Sequence, residues 1–320
     1  MISLSDVQAA RERIAEITYM TPIFTSTKLS QICGNQIYLK SEHLQKTGSF
    51  KIRGAANKVI QALQDGAIYV TAASSGNHGQ AVAYIADQYR IPATIVVPDN
   101  VSFCKENAIK GYNGHIEKCG TTSRERLPRA MEIAKQENGV YIPPYDDPYI
   151  MAGQGTIGLE VLEQVQDADA VIVPIGGGGL ISGILTAIKE SNPSVRVIGV
   201  EPQLANDTFL SFQNKQITSI SGTNTIADGL RTNQPGDLTF PVLMKYLDDL
   251  VLVSEDEIRQ AFSFVMERMK QLIEPSSATT VAAAMFNKLP FQGKKVVTVI
   301  TGGNVDLDKV SDLIVDTHMC

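Results

Sequence analysis

A series of short runs, apolar at nearly every position and rich in β-branched residues, limits what this chain can fold into. They fall at residues 67–73 (AIYVTAA), 93–97 (ATIVV), 170–175 (AVIVPI), 195–200 (VRVIGV) and 295–300 (KVVTVI), with a shorter run at 115–118 (HIEK). A strand with one wet face alternates polar and apolar residues, whereas a strand covered on both faces has no need to. Helix-patterned segments lie among them at 80–88, 102–110, 124–137 and 180–190. Strands that alternate with helices build βαβ units, so the pattern predicts an α/β fold with doubly wound parallel sheets. Pro143, Pro144 and the polar turn after them break the pattern and mark a domain crossing. At 320 residues the chain has room for about two domains. A ligand is expected in the cleft between them, at the carboxyl ends of the strands.

Charge and composition exclude several classes of function. The net charge is −6 and no basic run is present, which argues against nucleic-acid binding. No apolar stretch approaches the roughly 20 residues of a membrane helix. The opening MISLSDVQAARERIAEI reads as an amphipathic helix with Ser3 and Asp6 at capping-box spacing, not as a signal peptide. Cys33, Cys104, Cys119 and Cys320 stand alone without a CxxC, as reduced thiols of a cytoplasmic protein do. His43, His78, His115 and His318 do not cluster, so a histidine-built metal site is not expected.

The sharpest local motif is the run Gly176, Gly177, Gly178 and Gly179, placed between a predicted strand and a predicted helix. Glycines allow close approach of a ligand to the backbone, and a helix N-terminus offers free N–H groups and a positive dipole end. The turn is therefore an anion site, best suited to a phosphate. It is not a P-loop, and a dinucleotide fingerprint starting at Gly177 fails at Ser182. Glu201, at the end of the next strand, nevertheless stands where a ribose-binding acid would, which keeps an NAD-dependent dehydrogenase as the alternative from another class.

Two further segments carry chemistry. Lys51 lies between Phe50 and Ile52 in the glycine-bounded segment TGSFKIRG. Burial there would lower its pKa and free the amine for Schiff-base chemistry. The turn SSGNHG at 74–79 offers hydroxyls, an amide and N–H groups suited to a carboxylate.

Taken together, GSFKIRG, SSGNHGQ, AGQGT, GGGGL, IADGL and TGGN resemble, in order and spacing, the fold-type II pyridoxal-phosphate enzymes of the serine racemase and serine/threonine dehydratase family. The resemblance covers nearly the whole chain. It implies a tryptophan synthase β-like fold of two doubly wound α/β domains with the cofactor in the cleft. Residues 1–65 and 147–320 would form the large cofactor-binding domain and 66–146 a small mobile one.

The resemblance also implies roles, residue by residue. Lys51 would carry pyridoxal 5'-phosphate as a Schiff base, Phe50 would pack on the ring and Asn77 would bond its phenolic oxygen. Gly176, Gly177, Gly178 and Gly179 would hold the phosphate, and the Thr301 hydroxyl would face the pyridine nitrogen. Ser74, Ser75, Asn77 and His78 would clasp the substrate carboxylate. Lys51 and Ser75 would serve opposite faces of the α-carbon. Glu201, the Ala205 carbonyl and Asp207 would hold a divalent cation, Mg2+, Mn2+ or Ca2+.

The activity implied is that of a serine/threonine ammonia-lyase with serine racemase activity. It acts on β-hydroxy amino acids to give a 2-oxo acid plus ammonia, or the D-isomer. A β-hydroxyaspartate ammonia-lyase is the close alternative, with Arg126 for the second carboxylate if it faces the cleft; its pattern otherwise reads as a surface helix residue. A homodimer is implied as well. The sequence departs from the family at Ser276, Ser277 and Ala278, where relatives carry a glycine shortly after Glu-Pro. The short stretch after TGGN predicts no amino-acid-binding regulatory domain and no isoleucine feedback.

Overall fold

The computed structural model describes residues 1–74, 76–101 and 103–315. Their strands are β1 (Ile23–Thr25), β2 (Gln36–Ser41), β3 (Val70–Ala73), β4 (Ala93–Val97), β5 (His115–Lys118), β6 (Val140–Tyr141), β7 (Ala170–Pro174), β8 (Arg196–Pro202), β9 (Asp249–Val253) and β10 (Lys295–Ile300). They form a six-stranded sheet in the order β1-β2-β10-β7-β8-β9 and a four-stranded sheet in the order β5-β4-β3-β6. β1 runs antiparallel to β2, while the other pairings are parallel. The helices are α1 (Leu4–Ile14), α2 (Thr27–Cys33), α3 (Lys51–Gln64), α4 (Asn77–Gln88), α5 (Phe103–Gly111), α6 (Ser123–Gln136) and α7 (Pro148–Gln164). They continue with α8 (Gly179–Ser191), α9 (Asp207–Asn214), α10 (Thr239–Tyr246), α11 (Glu255–Phe264), α12 (Pro275–Met285) and α13 (Val310–Leu313).

The all-apolar strands are apolar because both faces are covered. Val171 and Val173 of β7 join a core with α7 and α8 residues such as Ile157 and Ile184. Ala170 and Ile172, on the opposite face, join a core with Phe262 of α11 and Val281 of α12. β4 repeats the arrangement: Ile95 and Val97 pack with Val59 and Val82, whereas Val96 packs with Ala130 and Ile133 of α6. Each such buried Val, Ile or Phe side chain contributes about 1.5–3 kcal/mol.

The strands predicted at 93–97, 115–118 and 295–300 form with those limits. The run at 67–73 pairs only from Val70, because Gly66 (φ +92°) and the bond from Ala67 N–H to the Ala62 carbonyl use the preceding residues to close α3. The helix expected at 80–88 starts at Asn77, since Gln80 N–H already bonds the Gly76 carbonyl. At the chain start, Ser3 and Asp6 do form a reciprocal capping box on α1.

α7 is the element that the sequence pattern hides. It contains Gly153, Gly155 and Gly158, each unfavourable in a helix interior. Packing explains them: a Cβ on Gly153 would stand 2.6 Å from the Arg53 carbonyl, and one on Gly155 2.7 Å from the Gly183 carbonyl. The AGQGT motif is thus where α7 presses backbone to backbone on α3 and α8. Among the described residues no helix is long and apolar enough to cross a membrane.

Candidate active site

The segment that leads into Lys51 is stitched to the end of β10. Ser49 bridges Gly302, Phe50 N–H donates to the Thr301 carbonyl (3.0 Å), and Gly303 N–H donates to the Gly48 carbonyl (2.9 Å). Thr47 takes a left-handed conformation (φ +63°), a strain on the order of 1–3 kcal/mol for a β-branched residue. Asn304 helps to hold it there, donating from Nδ2 to the Thr47 carbonyl at 2.8 Å. Lys51 is then the first residue of α3, and its Nζ donates to the Pro144 carbonyl at 2.8 Å. Burial pushes the amine down to about 8, with the Glu274 carboxylate acting in the opposite direction.

Lys51 opens onto a cavity of about 210 Å³ whose walls include Phe50, Asn77, the 176–179 turn, Glu274 and Thr301. The glycine turn links β7 to α8, so the free N–H groups and positive dipole end of α8 meet this space. Gly178 caps α8 with φ +91°. Packing also requires glycine at Gly177, where a Cβ would stand 2.4 Å from the Tyr145 ring. The turn is both a close-packed corner and an anion site.

Ser74 follows β3 and accepts from Gly76 N–H on its Oγ (3.2 Å). Ser75 lies outside the described residues. Asn77 donates from Nδ2 to both oxygens of Glu274 (3.0 and 2.9 Å), and its Oδ1 accepts from Asn304 Nδ2 (2.8 Å). His78 Nε2 lies 2.9 Å from the Ile142 carbonyl. A carbonyl only accepts, so the ring hydrogen sits on Nε2 and Nδ1 carries a lone pair. Burial, and then the nearby Lys51, push His78 down to about 3 and keep it neutral. The His78 side chain therefore has no hydrogen left for a substrate carboxylate, and a clasp at 74–78 must use N–H groups at the start of α4.

Sequence reasoning missed Glu274 as a site residue, treating its surroundings only as a loop of altered shape. It is buried at the wall of the cavity. Burial, then the Asp228 carboxylate, raise its pKa to about 7, while Asn77, Lys105 and Lys51 pull the other way. The available signal was an acid directly ahead of Pro275 at the start of an apolar helix. The two serines that replace the family's glycine region are also bonded. Ser276 Oγ accepts from Gly229 N–H (3.0 Å), and Ser277 Oγ lies 3.0 Å from Thr301 Oγ1.

Arg126 is not the surface residue that its helix pattern suggests. It is 9% exposed and lines a second cavity, of about 710 Å³, that shares Ser74, Lys105, Asp228 and Asn304 with the first. The inner face of α6 carries it toward the cleft.

Glu201 and Asp207 are brought together at the end of β8 and the start of α9, both fully buried. Glu201 accepts from Thr208 N–H (3.1 Å) and Phe209 N–H (2.7 Å), which commits it to the N-terminus of α9 and not to a ribose. Burial, then Asp207, raise Glu201 well above the usual carboxylate range, and burial raises Asp207 to about 7. Among the described residues neither forms an ion pair with a lysine, arginine or histidine. The two acids are thus buried together without a cation beside them among the described residues, and the buried Ala205 lies between them in sequence. No group of three or more His, Cys, Asp or Glu side chains is placed to hold a metal among the described residues.

Residues 14–302 match the family described as pyridoxal-phosphate dependent enzymes. The L-threonine ammonia-lyase of Thermotoga maritima is 42% identical over 315 residues, which span 98% of this chain and 78% of that protein. The serine racemase of Dictyostelium discoideum is 42% identical over 323 residues, 98% of each chain. The solved structure of maize serine racemase superposes with a TM-score of 0.93 at 38% identity, covering 97% of this chain and 96% of that one.

Proposed function

Because the chain belongs to the family of pyridoxal-phosphate dependent enzymes, we propose that it is a serine/threonine ammonia-lyase with serine racemase activity. It would release a 2-oxo acid and ammonia from β-hydroxy amino acids, or return the D-isomer. The observation that carries this reading is the desolvated Lys51 amine, which among the described residues donates to a neutral carbonyl, in one cavity with a glycine turn at a helix N-terminus. A nicotinamide-linked reaction is not retained, since Glu201 is engaged by α9 and the family is a pyridoxal-phosphate one.

Pyridoxal phosphate, when bound, supplies the electron sink that acidifies the substrate α-carbon. The chain supplies everything else. The N–H groups of the 176–179 turn and the start of α8 would hold the phosphate, and Phe50 would pack against the ring. Asn77, oriented by Glu274 and Asn304, would bind the phenolic oxygen, and the Thr301 hydroxyl would serve the ring nitrogen. Near neutral pH a fraction of Lys51 is the free amine, and that amine takes the α-proton. Ser74 and the first N–H groups of α4 orient the substrate carboxylate, and Ser75 handles a proton on the opposite face. Glu201, Asp207 and the Ala205 carbonyl would hold a divalent cation. Residues 66–146 move as a small domain over the cleft. Free thiols at Cys33 and Cys119 support a cytoplasmic setting.

One observation favours a second reading. Arg126, inside the cavity that adjoins the first through Ser74, is suited to the second carboxylate of a β-hydroxyaspartate. Borohydride reduction of the holoenzyme should fix the cofactor on the Lys51 peptide. Ammonia and D-serine are then measured from L-serine, L-threonine and β-hydroxyaspartate. Ser75→Ala should remove D-serine formation while kcat for ammonia release from L-serine falls much less. A label on another lysine, or equal losses in both reactions, overturns the assignment.

A further inference from the structure

We propose that Ser277 reverses the hydrogen bond that Thr301 offers to the cofactor, so that Thr301 accepts from a protonated pyridine nitrogen and does not donate to a neutral one. The proposal rests on the reading that the Thr301 hydroxyl faces that nitrogen.

Ser277 Oγ has three close polar neighbours: the Gly302 carbonyl at 2.7 Å, Gly302 N at 2.8 Å and Thr301 Oγ1 at 3.0 Å. A carbonyl oxygen can only accept, so the single hydroxyl hydrogen of Ser277 belongs to the Gly302 carbonyl. If it pointed at Thr301, two oxygens would face each other at 2.7 Å with no hydrogen between them. Gly302 N–H can only donate and takes one lone pair of Ser277. The other lone pair is left for Thr301, which must donate to it.

Both side chains are buried, Ser277 at 0% and Thr301 at 2% exposure, so water does not compete for these bonds. The Thr301 hydrogen is thereby spent on Ser277, and Thr301 turns lone pairs toward the cavity it lines. An acceptor there stabilises a ring N–H and destabilises a bare ring nitrogen. A protonated ring withdraws electrons more strongly, so Ser277 deepens the electron sink without placing a carboxylate beside it.

The test uses holoenzyme carrying cofactor with a 15N-labelled ring nitrogen and reads the 15N resonance by NMR. The expected result is a pyridinium-range resonance in the unmodified enzyme that moves downfield, toward the unprotonated range, in Ser277→Ala. Ser277→Cys, which keeps side-chain volume and weakens both bonds, should move it partway and serves if the alanine variant does not fold. Thr301→Ala separates the two ways of failing. If Thr301→Ala moves the resonance and the Ser277 variants do not, the role of Ser277 is overturned while Thr301 keeps its place. If none of the variants moves it, the placement of Thr301 is wrong and the proposal falls with it. An unprotonated resonance in the unmodified enzyme also overturns it.

Discussion

Two buried clusters of charge flank the start of α3, and they are wired differently. On one side Arg53 donates from Nε and Nη2 to Glu42 (2.8 Å each) and from Nη1 and Nη2 to Glu160 (2.6 and 2.9 Å), with Lys40 on Glu160 as well. Every carboxylate there faces a cation. Burial opposes the charge on Glu42, yet the Arg53 guanidinium holds its carboxyl below the usual range. On the other side, two residues earlier in the chain, Lys51 bonds a neutral carbonyl and Glu274 bonds the neutral amide of Asn77. Their values are pushed toward each other, to about 8 and about 7. Paired charges are locked in one protonation state. Charges set against neutral partners are left poised near neutrality, where proton transfer is efficient.

The comparison breaks most severely at Arg53. Arg53→Met leaves Glu42 and Glu160 buried with too little positive charge, a loss of about 3–5 kcal/mol for a broken buried network. Denaturant unfolding should show it as a large drop in midpoint. Lys51→Met, by contrast, should cost far less stability in the cofactor-free protein, because it removes a group that burial already penalises, while abolishing both elimination and racemisation. A Lys51 variant as unstable as the Arg53 variant would show that the two clusters are not different in kind.

The next effect concerns pH. Glu274 has a folded-state value near 7, above its ordinary 4.5. Its contribution to stability is therefore complete below about pH 4.5 and is lost as pH rises through 7. Over those 2.5 units the loss is about 3 kcal/mol, at 1.36 kcal/mol per unit. Glu42 has the opposite sign, since its contribution is lost as pH falls. Stability of the cofactor-free protein measured from pH 4.5 to 7.5 should slope less steeply downward in Glu274→Gln than in the unmodified protein. Parallel curves would mean that Glu274 is ionised throughout.

The same contrast explains what could be read in the sequence. The strands at 93–97 and 295–300 were legible because their environment is uniform, and uniform burial leaves a uniform composition. β2 was not legible, because Lys40 is buried at its end through partners from distant segments, the Thr21 carbonyl and Glu160 and Gln164 of α7. Nothing near Lys40 announces a carboxylate 120 residues away. Lys51 and the glycine turn were legible as chemistry because backbone shape and residue type coincide there. Glu274, Ser277 and the inward face of Arg126 were not, since their meaning lies in contacts between distant segments. The sequence could single out His78 but not the direction of its ring, because the Ile142 carbonyl fixes it.

The smallest expected effect comes from a third cluster, two buried acids that lack the cations of the first cluster and, like Glu274 in the second, are met by neutral groups. Burial raises both carboxyls and Asp207 adds to the cost of ionising Glu201, while among the described residues backbone N–H groups and the Thr232 hydroxyl (3.4 Å from each Asp207 oxygen) act the other way. If a divalent cation completes the site, Mg2+ or Mn2+ should raise Tm in proportion to the logarithm of its concentration, by about 2.7 kcal/mol of stability at 100 times Kd. A chelator should lower Tm again. Asp207→Asn removes one charge at nearly constant shape, so it should weaken that response without the collapse expected of Arg53→Met. It should also lessen the mutual repulsion, so that in chelator the variant is at least as stable as the unmodified protein. The metal assignment fails if Asp207→Asn responds to chelator and Mg2+ as the unmodified protein does. It fails equally if neither protein responds, and the pair would then be two neutral carboxyls held by the start of α9.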